Sequence, residues 1–282
     1  MLKKEQYYLF YSIIAWGDSM KYLFYRLIIF LDTANESDTN YNIAWYMANN
    51  FSKVSKMGIS ELAKECYVSP ATISRFCRTL GYENFAHLKQ ECSTFTLAHS
   101  KWDNLAKIPQ NLITESPIEA TKYYLNKIKI SMDDLIETLD WKVIDQALKV
   151  IYQSEDIVFF GSQFSHSAAL HLQTDLMMVN KFSVAYMDTE RQLESAKKLD
   201  KDSVAIIISV NGNYQNTGSK ALKYIERSKA KTIVITQNSN MPFANNADYL
   251  ILLGDENYMK MGKHNLLTVV ELLSCRYFSL FR

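Results

Sequence analysis

The spacing of hydrophobic residues changes once along this chain of 282 residues. In the first third, apolar residues recur at helical spacing from Ile43 to Phe51 and again from Ile59 to Val68. This spacing is typical of amphipathic helices that bury one face. We therefore predict an all-helical region at the start of the chain.

Beyond Asp156 the apolar residues instead form short continuous runs rich in Val, Ile and aromatic side chains. Runs without polar alternation are typical of strands that are covered on both faces. Helical stretches separate these runs, and this alternation predicts a doubly wound parallel sheet, an α/β fold. The predicted strands are Ile157–Phe160, Ser183–Tyr186, Val204–Val210, Thr232–Thr236 and Tyr249–Leu253, and the predicted helices are Ser165–Val179, Glu190–Leu199, Gln215–Ser228 and His264–Phe281.

A stretch without periodicity, Thr96 to Pro117, separates the two patterns and is interpreted as a linker. Ser116 is expected to cap a helix that begins at Pro117 and runs through Ile136, and Asp140 to cap the next helix. The expected organisation is therefore a helical domain over 1–100, a linker and connecting helix over 101–139, and an α/β domain over 140–282.

Charge and cysteine content narrow the class of protein. The net charge is +1, so the whole chain lacks the signature of a nucleic-acid binder, although the stretch from Phe51 to Lys101 carries seven basic and four acidic residues. The four cysteines include no C-x-x-C pair and have no nearby His cluster. Neither a zinc site nor a disulfide framework is expected, and the chain is predicted to be cytoplasmic, without metal or cofactor.

Two apolar stretches near the start of the chain, Tyr7–Trp16 and Tyr22–Leu31, raise the question of a membrane segment. Each is shorter than the roughly 18 apolar residues that mark a transmembrane helix. We interpret both stretches as buried helices and expect no membrane partner.

The segment from Gly58 to Leu88 predicts two short helices joined by a turn, a helix-turn-helix at 58–88. Ser60 is expected to cap the first helix, Ser69-Pro70 to open the second, and Gly81 to end it. The inward face of the second helix should comprise Ile73, Phe76, Cys77 and Leu80, and its outward face Ala71, Thr72, Ser74, Arg75 and Arg78.

The outward face suits DNA, because free N–H groups at a helix start attract phosphate. Arg75 has the bidentate fork that recognises guanine, and Arg78 is placed to hold a backbone phosphate. An ordinary helical hairpin with a solvated arginine face explains the same pattern. Physical chemistry alone leaves both interpretations open.

The string Ser-Pro-Ala-Thr-Ile-Ser-Arg-Phe-Cys-Arg from Ser69 to Arg78, followed by Leu80 and Gly81, resembles the N-terminal domain of RpiR/MurR-type regulators. In that family the second helix is the recognition helix. The resemblance therefore implies a double-stranded DNA operator as partner, with contacts from Ser69, Thr72, Ser74, Arg75 and Arg78.

In the α/β domain, two predicted strands are followed by loops of Gly, Ser and Asn, at residues 161–167 and 209–213. Ligands of open α/β sheets bind beyond the carboxyl ends of strands, and hydroxyl and N–H groups there suit a phosphate. The same residues are also common in ordinary turns, so this pattern leaves both possibilities open.

Residues 140–282 resemble a SIS (sugar isomerase) domain, the usual partner of the RpiR DNA-binding domain. The resemblance implies a phosphosugar-like effector, with contacts from Gly161, Ser162, Ser165, Ser209, Asn211, Gly212 and Thr217. Three positions depart from the family pattern: Gln163 replaces a glycine, Asn211 a serine and Tyr214 a threonine. Because a Tyr side chain is large enough to fill the phosphate site, the sensor is expected to be altered in specificity, or empty.

Together these features predict a regulator of sugar or amino-sugar metabolism, not an enzyme, that forms a homodimer or homotetramer. One alternative is a regulator whose vestigial sensor only dimerises. A phosphosugar isomerase is the other, and it needs a positioned base. His166, expected at the surface or as a helix cap, is one candidate, and the others are His171, Glu190, Glu256 and His264.

Overall fold

The computed structural model describes residues 23–24, 26–99 and 108–281, so the stretch Tyr7–Trp16 lies outside the described residues. The chain divides into two compact units between Ala106 and Lys107. No helix in these described ranges is long and apolar enough to span a membrane.

The first unit is helical, as predicted. Its core buries Leu23 and Leu27 from the second apolar stretch, together with Ile43 of the following helix and Phe76 of the helix-turn-helix. These side chains come from helices far apart in sequence, which is why each helix needs one continuous apolar face. The helices span residues 26–33, Thr39–Asn49, Phe51–Val54, Ile59–Glu65, Pro70–Thr79 and Phe85–His99.

The region interpreted as a linker contains more structure than its lack of periodicity suggests. Short helix Gln110–Glu115 precedes a long helix, Pro117–Thr138, whose Ser116 N-cap makes no side-chain capping bond. The long helix belongs to the second unit, because Ser131 donates to the Asn265 carboxamide at 3.1 Å and Asp134 accepts the Asp255 N–H at 2.6 Å.

The second unit is built on a five-stranded parallel sheet in the order β2-β1-β3-β4-β5, which confirms the predicted α/β fold. The strands are β1 Asp156–Phe160, β2 Val184–Ala185, β3 Ser203–Ile208, β4 Lys231–Thr236 and β5 Tyr249–Leu252. The helices are Trp141–Gln153, Phe164–Met178, Thr189–Lys198, Tyr214–Thr217, Ser219–Ser228, Pro242–Asn245 and Gly262–Phe281, with a 3-10 turn at Glu256–Met261. Asp140 caps Trp141–Gln153 as predicted, and the predicted helix Gln215–Ser228 is divided at Gly218.

Helices cover both faces of the sheet. Ile157 and Phe159 of β1 belong to one hydrophobic cluster, whereas Val158 and Phe160 belong to the cluster on the opposite face. This alternation follows from the two-residue repeat of a strand. Full burial of a side chain such as Phe159 contributes about 1.5–3 kcal/mol. The sheet is thus a rigid base, and its strand-end loops carry the polar residues.

Candidate functional site

The second helix of the helix-turn-helix, Pro70–Thr79, is capped at both ends. Ser69 accepts the Thr72 N–H at 3.2 Å, as predicted, and Gly81 follows the helix with a φ of +79°. The guanidinium of Arg26 donates to the Leu80 carbonyl. The predicted Ser60 cap is wrong: Gly58 is the N-cap of helix Ile59–Glu65, because its carbonyl accepts the first N–H groups of the turn.

The inward face of helix Pro70–Thr79 is the predicted one. Ile73 and Phe76 are fully buried, and Cys77 and Leu80 nearly so. Burial raises the pKa of the Cys77 thiol to about 11, so this side chain stays neutral and acts as a small apolar group. The opposite face must therefore point to solvent.

The outward face carries a row of linked polar groups. The hydroxyls of Ser69 and Thr72 lie 3.0 Å apart, and Arg75 donates through Nη2 to the Thr72 hydroxyl at 3.2 Å. Arg78 is exposed further along the helix, and Ser74 is half-buried. Residues three apart on a helix share a face, so this row starts at the N-terminus, where the N–H groups favour anions.

In the second unit, the two predicted loops lie side by side because β1 pairs directly with β3. Thr217 donates to the Ser162 hydroxyl at 3.5 Å, a long contact that joins the two loops. Gly161 is buried, and a Cβ there would lie 3.1 Å from the Ile208 carbonyl oxygen. The structure therefore brings Gly161, Ser162 and Thr217 together at the carboxyl edge of the sheet.

The other predicted effector residues have different surroundings. Ser165 is buried at the start of helix Phe164–Met178, and Ser209 is buried and accepts the Tyr214 N–H at 3.0 Å. Asn211 is exposed, and its backbone carbonyl accepts from Asn238. Gly212 has a φ of +81°, and a Cβ there would lie 3.0 Å from the Asn238 amide nitrogen. The Ser209 oxygen thus accepts a hydrogen bond within its own loop.

Gln163 occupies a backbone conformation that favours glycine. Its φ is +53° and its ψ is −123°, a combination that is costly for a residue with a Cβ. The loop keeps a glycine-type geometry at the position where the sequence departs from the family pattern. The Gln163 side chain is half-buried beside Ser162.

The Tyr214 side chain is large enough to fill a phosphate site, but its ring lies in the hydrophobic core. It packs against Gly218, where a Cβ would lie 2.2 Å from a ring atom, and its hydroxyl donates to the Gln192 carboxamide oxygen at 2.5 Å. Burial of the ring explains the departure from a smaller residue. The Tyr214 side chain therefore supports the two loops from within the core.

Gln192 is the residue that sequence analysis missed. It is buried in helix Thr189–Lys198, and its Nε2 donates to the Gly161 carbonyl at 2.8 Å and to the Tyr186 carbonyl at 2.7 Å. With the bond from Tyr214, one carboxamide holds three loops. A glutamine in a helix rich in charged residues gives no sign of this burial, because tertiary contacts decide it.

The five candidate bases are spread over four elements, with His166 and His171 on the same helix. His166 is buried and bonded to the Ala185 carbonyl at 3.0 Å, so the predicted surface position is wrong, since helix Phe164–Met178 packs against β2. His264 meets the Tyr124 hydroxyl at 2.8 Å, His171 lies 3.5 Å from Glu271, Glu256 accepts from Ser239, and Glu190 is exposed. Within the described ranges, no three or more His, Cys, Asp or Glu side chains are grouped to hold a metal.

Two family models match the chain. The model for the helix-turn-helix domain of the rpiR family matches residues 31–96, and the model for the SIS domain matches residues 150–272. These matches cover the helix-turn-helix and the strand-end loops.

Curated relatives align with more than two thirds of the chain. The chain is 29% identical to an uncharacterized HTH-type transcriptional regulator of Caldanaerobacter subterraneus, over 77% of this chain and 75% of that protein. It is 28% identical to the HTH-type transcriptional regulator HexR of Pseudomonas aeruginosa, over 68% of this chain and 66% of that protein. Among solved structures, the NanR protein of Vibrio vulnificus complexed with ManNAc-6P has a TM-score of 0.49 at 17% identity, with 92% of each chain covered.

Proposed function

We propose that this chain, which belongs to the RpiR family of helix-turn-helix transcriptional regulators with a SIS domain, binds a DNA operator through helix Pro70–Thr79 under the control of a phosphosugar-like effector. The relatives from Caldanaerobacter subterraneus and Pseudomonas aeruginosa are both named as transcriptional regulators. Because its partner is DNA, we place the protein in the cytoplasm.

The linked row on the outward face carries the DNA-binding proposal. Ser69, Thr72 and Arg75 are joined by contacts of 3.0 and 3.2 Å, so the arginine is oriented before DNA arrives. An oriented guanidinium loses less conformational freedom when it pairs with guanine in the major groove. The hydroxyls and the free N–H groups of the helix start are suited to the flanking phosphates.

The test starts from DNA duplexes that the full-length protein selects from a random library. Arg75→Ala should weaken binding to a selected duplex by about 10- to 100-fold, and binding to a shuffled duplex much less. Arg227→Ala, an exposed arginine of the second unit, is the control and should leave both affinities unchanged. If the wild-type protein selects no sequence, or if Arg75→Ala keeps full selectivity, the proposal is wrong.

The effector part of the proposal rests on the strand-end loops. Ser162 and Thr217 present hydroxyls at the carboxyl edge of the sheet, beside the start of helix Phe164–Met178. Hydroxyls and N–H groups at such an edge suit a phosphate ester. In a homodimer or homotetramer, an effector that prefers one arrangement would change the spacing of two recognition helices, which must match the spacing of the half-sites.

A thermal-shift series with sugar phosphates and their unphosphorylated sugars tests the effector. A ligand that binds only the folded protein raises its melting temperature. We expect at least one sugar phosphate to do so, its parent sugar to have no effect, and the stabilising compound to alter DNA affinity. Ser162→Ala should reduce the shift without changing DNA binding in the absence of ligand.

A vestigial sensor is the second candidate, and specific contacts favour it. The Ser209 oxygen accepts the Tyr214 N–H, which occupies one of its acceptor sites, and Gln163 places a side chain where the loop geometry suits glycine. If no sugar phosphate shifts the melting temperature while selective DNA binding persists, the vestigial-sensor hypothesis replaces the effector proposal.

A further inference from the structure

Tyr67 is an unusually exposed aromatic residue in the turn of the helix-turn-helix. Its exposed fraction is 97%, compared with 75% for Met178, the next most exposed large apolar side chain of the described residues. Its side chain makes no hydrogen bond or ring contact with any other described residue. A tyrosine so placed buries almost none of its apolar surface, so packing does not explain it.

The backbone at Tyr67 makes this position still more unusual. Its φ is +56°, and the bonds Tyr67 N–H to Lys64 carbonyl and Val68 N–H to Ala63 carbonyl close the preceding helix in a Schellman motif. The left-handed residue of this motif is usually Gly or Asn, because a Cβ is unfavourable there.

Two other helices of the chain end in the same motif with the expected residues. Gly81 occupies the left-handed position after helix Pro70–Thr79, and Asn180 occupies it after helix Phe164–Met178. The turn of the helix-turn-helix differs from both, because it holds a bulky residue that gains nothing from the protein interior. Strain that the fold does not offset points to a role outside the fold.

Tyr67 lies close to the DNA-facing end of the recognition helix. It precedes the N-cap Ser69 by two residues, so the two Cα atoms are at most about 7 Å apart. The phenol borders an open groove of about 620 Å³, whose lining includes the neutral side chains of Thr39 and Asn42. The one acid in this lining, Glu65, accepts the Tyr46 hydroxyl at 3.2 Å.

We propose that Tyr67 contacts the DNA backbone, donating its hydroxyl to a phosphate oxygen beside the major groove that receives helix Pro70–Thr79. This inference rests on the proposed function. A phenol is a neutral donor with few rotatable bonds, so it can fix the position of the helix without adding charge. A phosphate contact of this kind carries no sequence information.

The test compares Tyr67→Phe and Tyr67→Gly in the full-length protein, with a duplex selected by the wild type and a shuffled duplex of the same composition. Tyr67→Phe should weaken binding to both duplexes by the same factor, about 10- to 100-fold, since one hydrogen bond to a charged phosphate oxygen is lost. The ratio of the two affinities and the salt dependence should not change, because no charge is removed. Tyr224→Phe, an exposed tyrosine of the second unit, is the control.

Tyr67→Gly separates the DNA role from a structural one. Removing the Cβ should raise the melting temperature by relieving the backbone, yet weaken DNA binding at least as much as Tyr67→Phe does. Unchanged affinity for both duplexes in both variants would overturn the inference while leaving the proposed function intact. A loss confined to the selected duplex would overturn it too, by indicating a base contact. If the wild type selects no duplex, both proposals fail.

Discussion

The hydroxyl of Tyr214 meets the carboxamide of Gln192, and this one contact connects the loop after β3 to the loops after β1 and β2. Gln192 reaches the Gly161 and Tyr186 carbonyls through its other end. Gln192 thus bonds to groups that follow β1, β2 and β3, and the loops after β1 and β3 form the candidate effector site. The shape of that site therefore depends on this buried hydrogen-bond network.

Removing the Tyr214 hydroxyl should therefore destabilise the second unit. In Tyr214→Phe the ring still packs against Gly218, but the buried Gln192 oxygen loses its hydrogen bond from the phenol, at a cost of about 1–3 kcal/mol. Urea unfolding measures the change, and Tyr224→Phe, whose ring is partly exposed, is the matched control. Equal stability of the two variants would show that the bond contributes nothing.

Replacing Gln163 with glycine should stabilise the protein. At a φ of +53° and a ψ of −123°, loss of the Cβ relieves the backbone by about 1 kcal/mol. Gln163→Ala keeps the Cβ and should bring no such gain, so it separates backbone strain from loss of the amide. The unfolding midpoints of the two variants decide the matter, and an alanine variant as stable as the glycine variant would contradict the strain argument.

The two exposed arginines of the recognition helix should differ in their effects on DNA binding. Arg78→Ala should weaken binding to all sequences alike and reduce the slope of log affinity against log salt by about 1, because one phosphate contact is lost. Arg75→Lys keeps the charge but not the bidentate fork, so it should keep the slope and lose selectivity. Fluorescence anisotropy at several salt concentrations measures both, and identical behaviour of the two variants would refute the assignment.

Lowering the pH should reduce the folding stability of the second unit, partly through protonation of Asp248. Burial by itself raises the pKa of this carboxyl, but hydrogen bonds from Lys231 and Thr232 outweigh it and hold the pKa below its ordinary value. A pKa lower in the folded than in the unfolded state stabilises the fold above about pH 4, and the benefit is lost as the pH falls through the folded value.

Asp248→Asn removes this titration, so its stability should fall less steeply with acid than that of the wild type. Urea midpoints at several values between about pH 6 and about pH 3 follow the effect. Asp133→Asn, at an exposed helical position, should retain the wild-type slope. A wild-type slope in Asp248→Asn would mean that this carboxylate does not contribute to acid sensitivity.

Local signals in the sequence were sufficient to predict many of the helix ends and strands of this structure. Ser69 with Pro70 marked the start of the recognition helix and Gly81 its end, because capping depends on neighbours in the chain. The strands were predicted to within a few residues, since buried parallel strands are continuous apolar runs.

The sequence did not reveal the hydrogen bonds between residues that lie far apart in the chain. Gln192 lies 31 residues from Gly161 and 22 from Tyr214, and nothing in its own helix marks it as buried. His166 was misplaced at the surface for the same reason, since its partner at Ala185 lies on another element. Ser60 was misjudged because Gly58, without a capping side chain, also begins a helix.

The capping of helix Pro70–Thr79 at both ends has a consequence for regulation. Ser69 caps the first turn of this helix, and Arg26 donates a hydrogen bond to the Leu80 carbonyl at its other end. Because both ends are capped, the helix has little tendency to fray or to unwind. An effector could therefore change the position of helix Pro70–Thr79 only by translating or rotating it as an intact helix. In the proposed homodimer or homotetramer, affinity for the operator would be set by the spacing and orientation of two recognition helices, rather than by folding and unfolding of either helix.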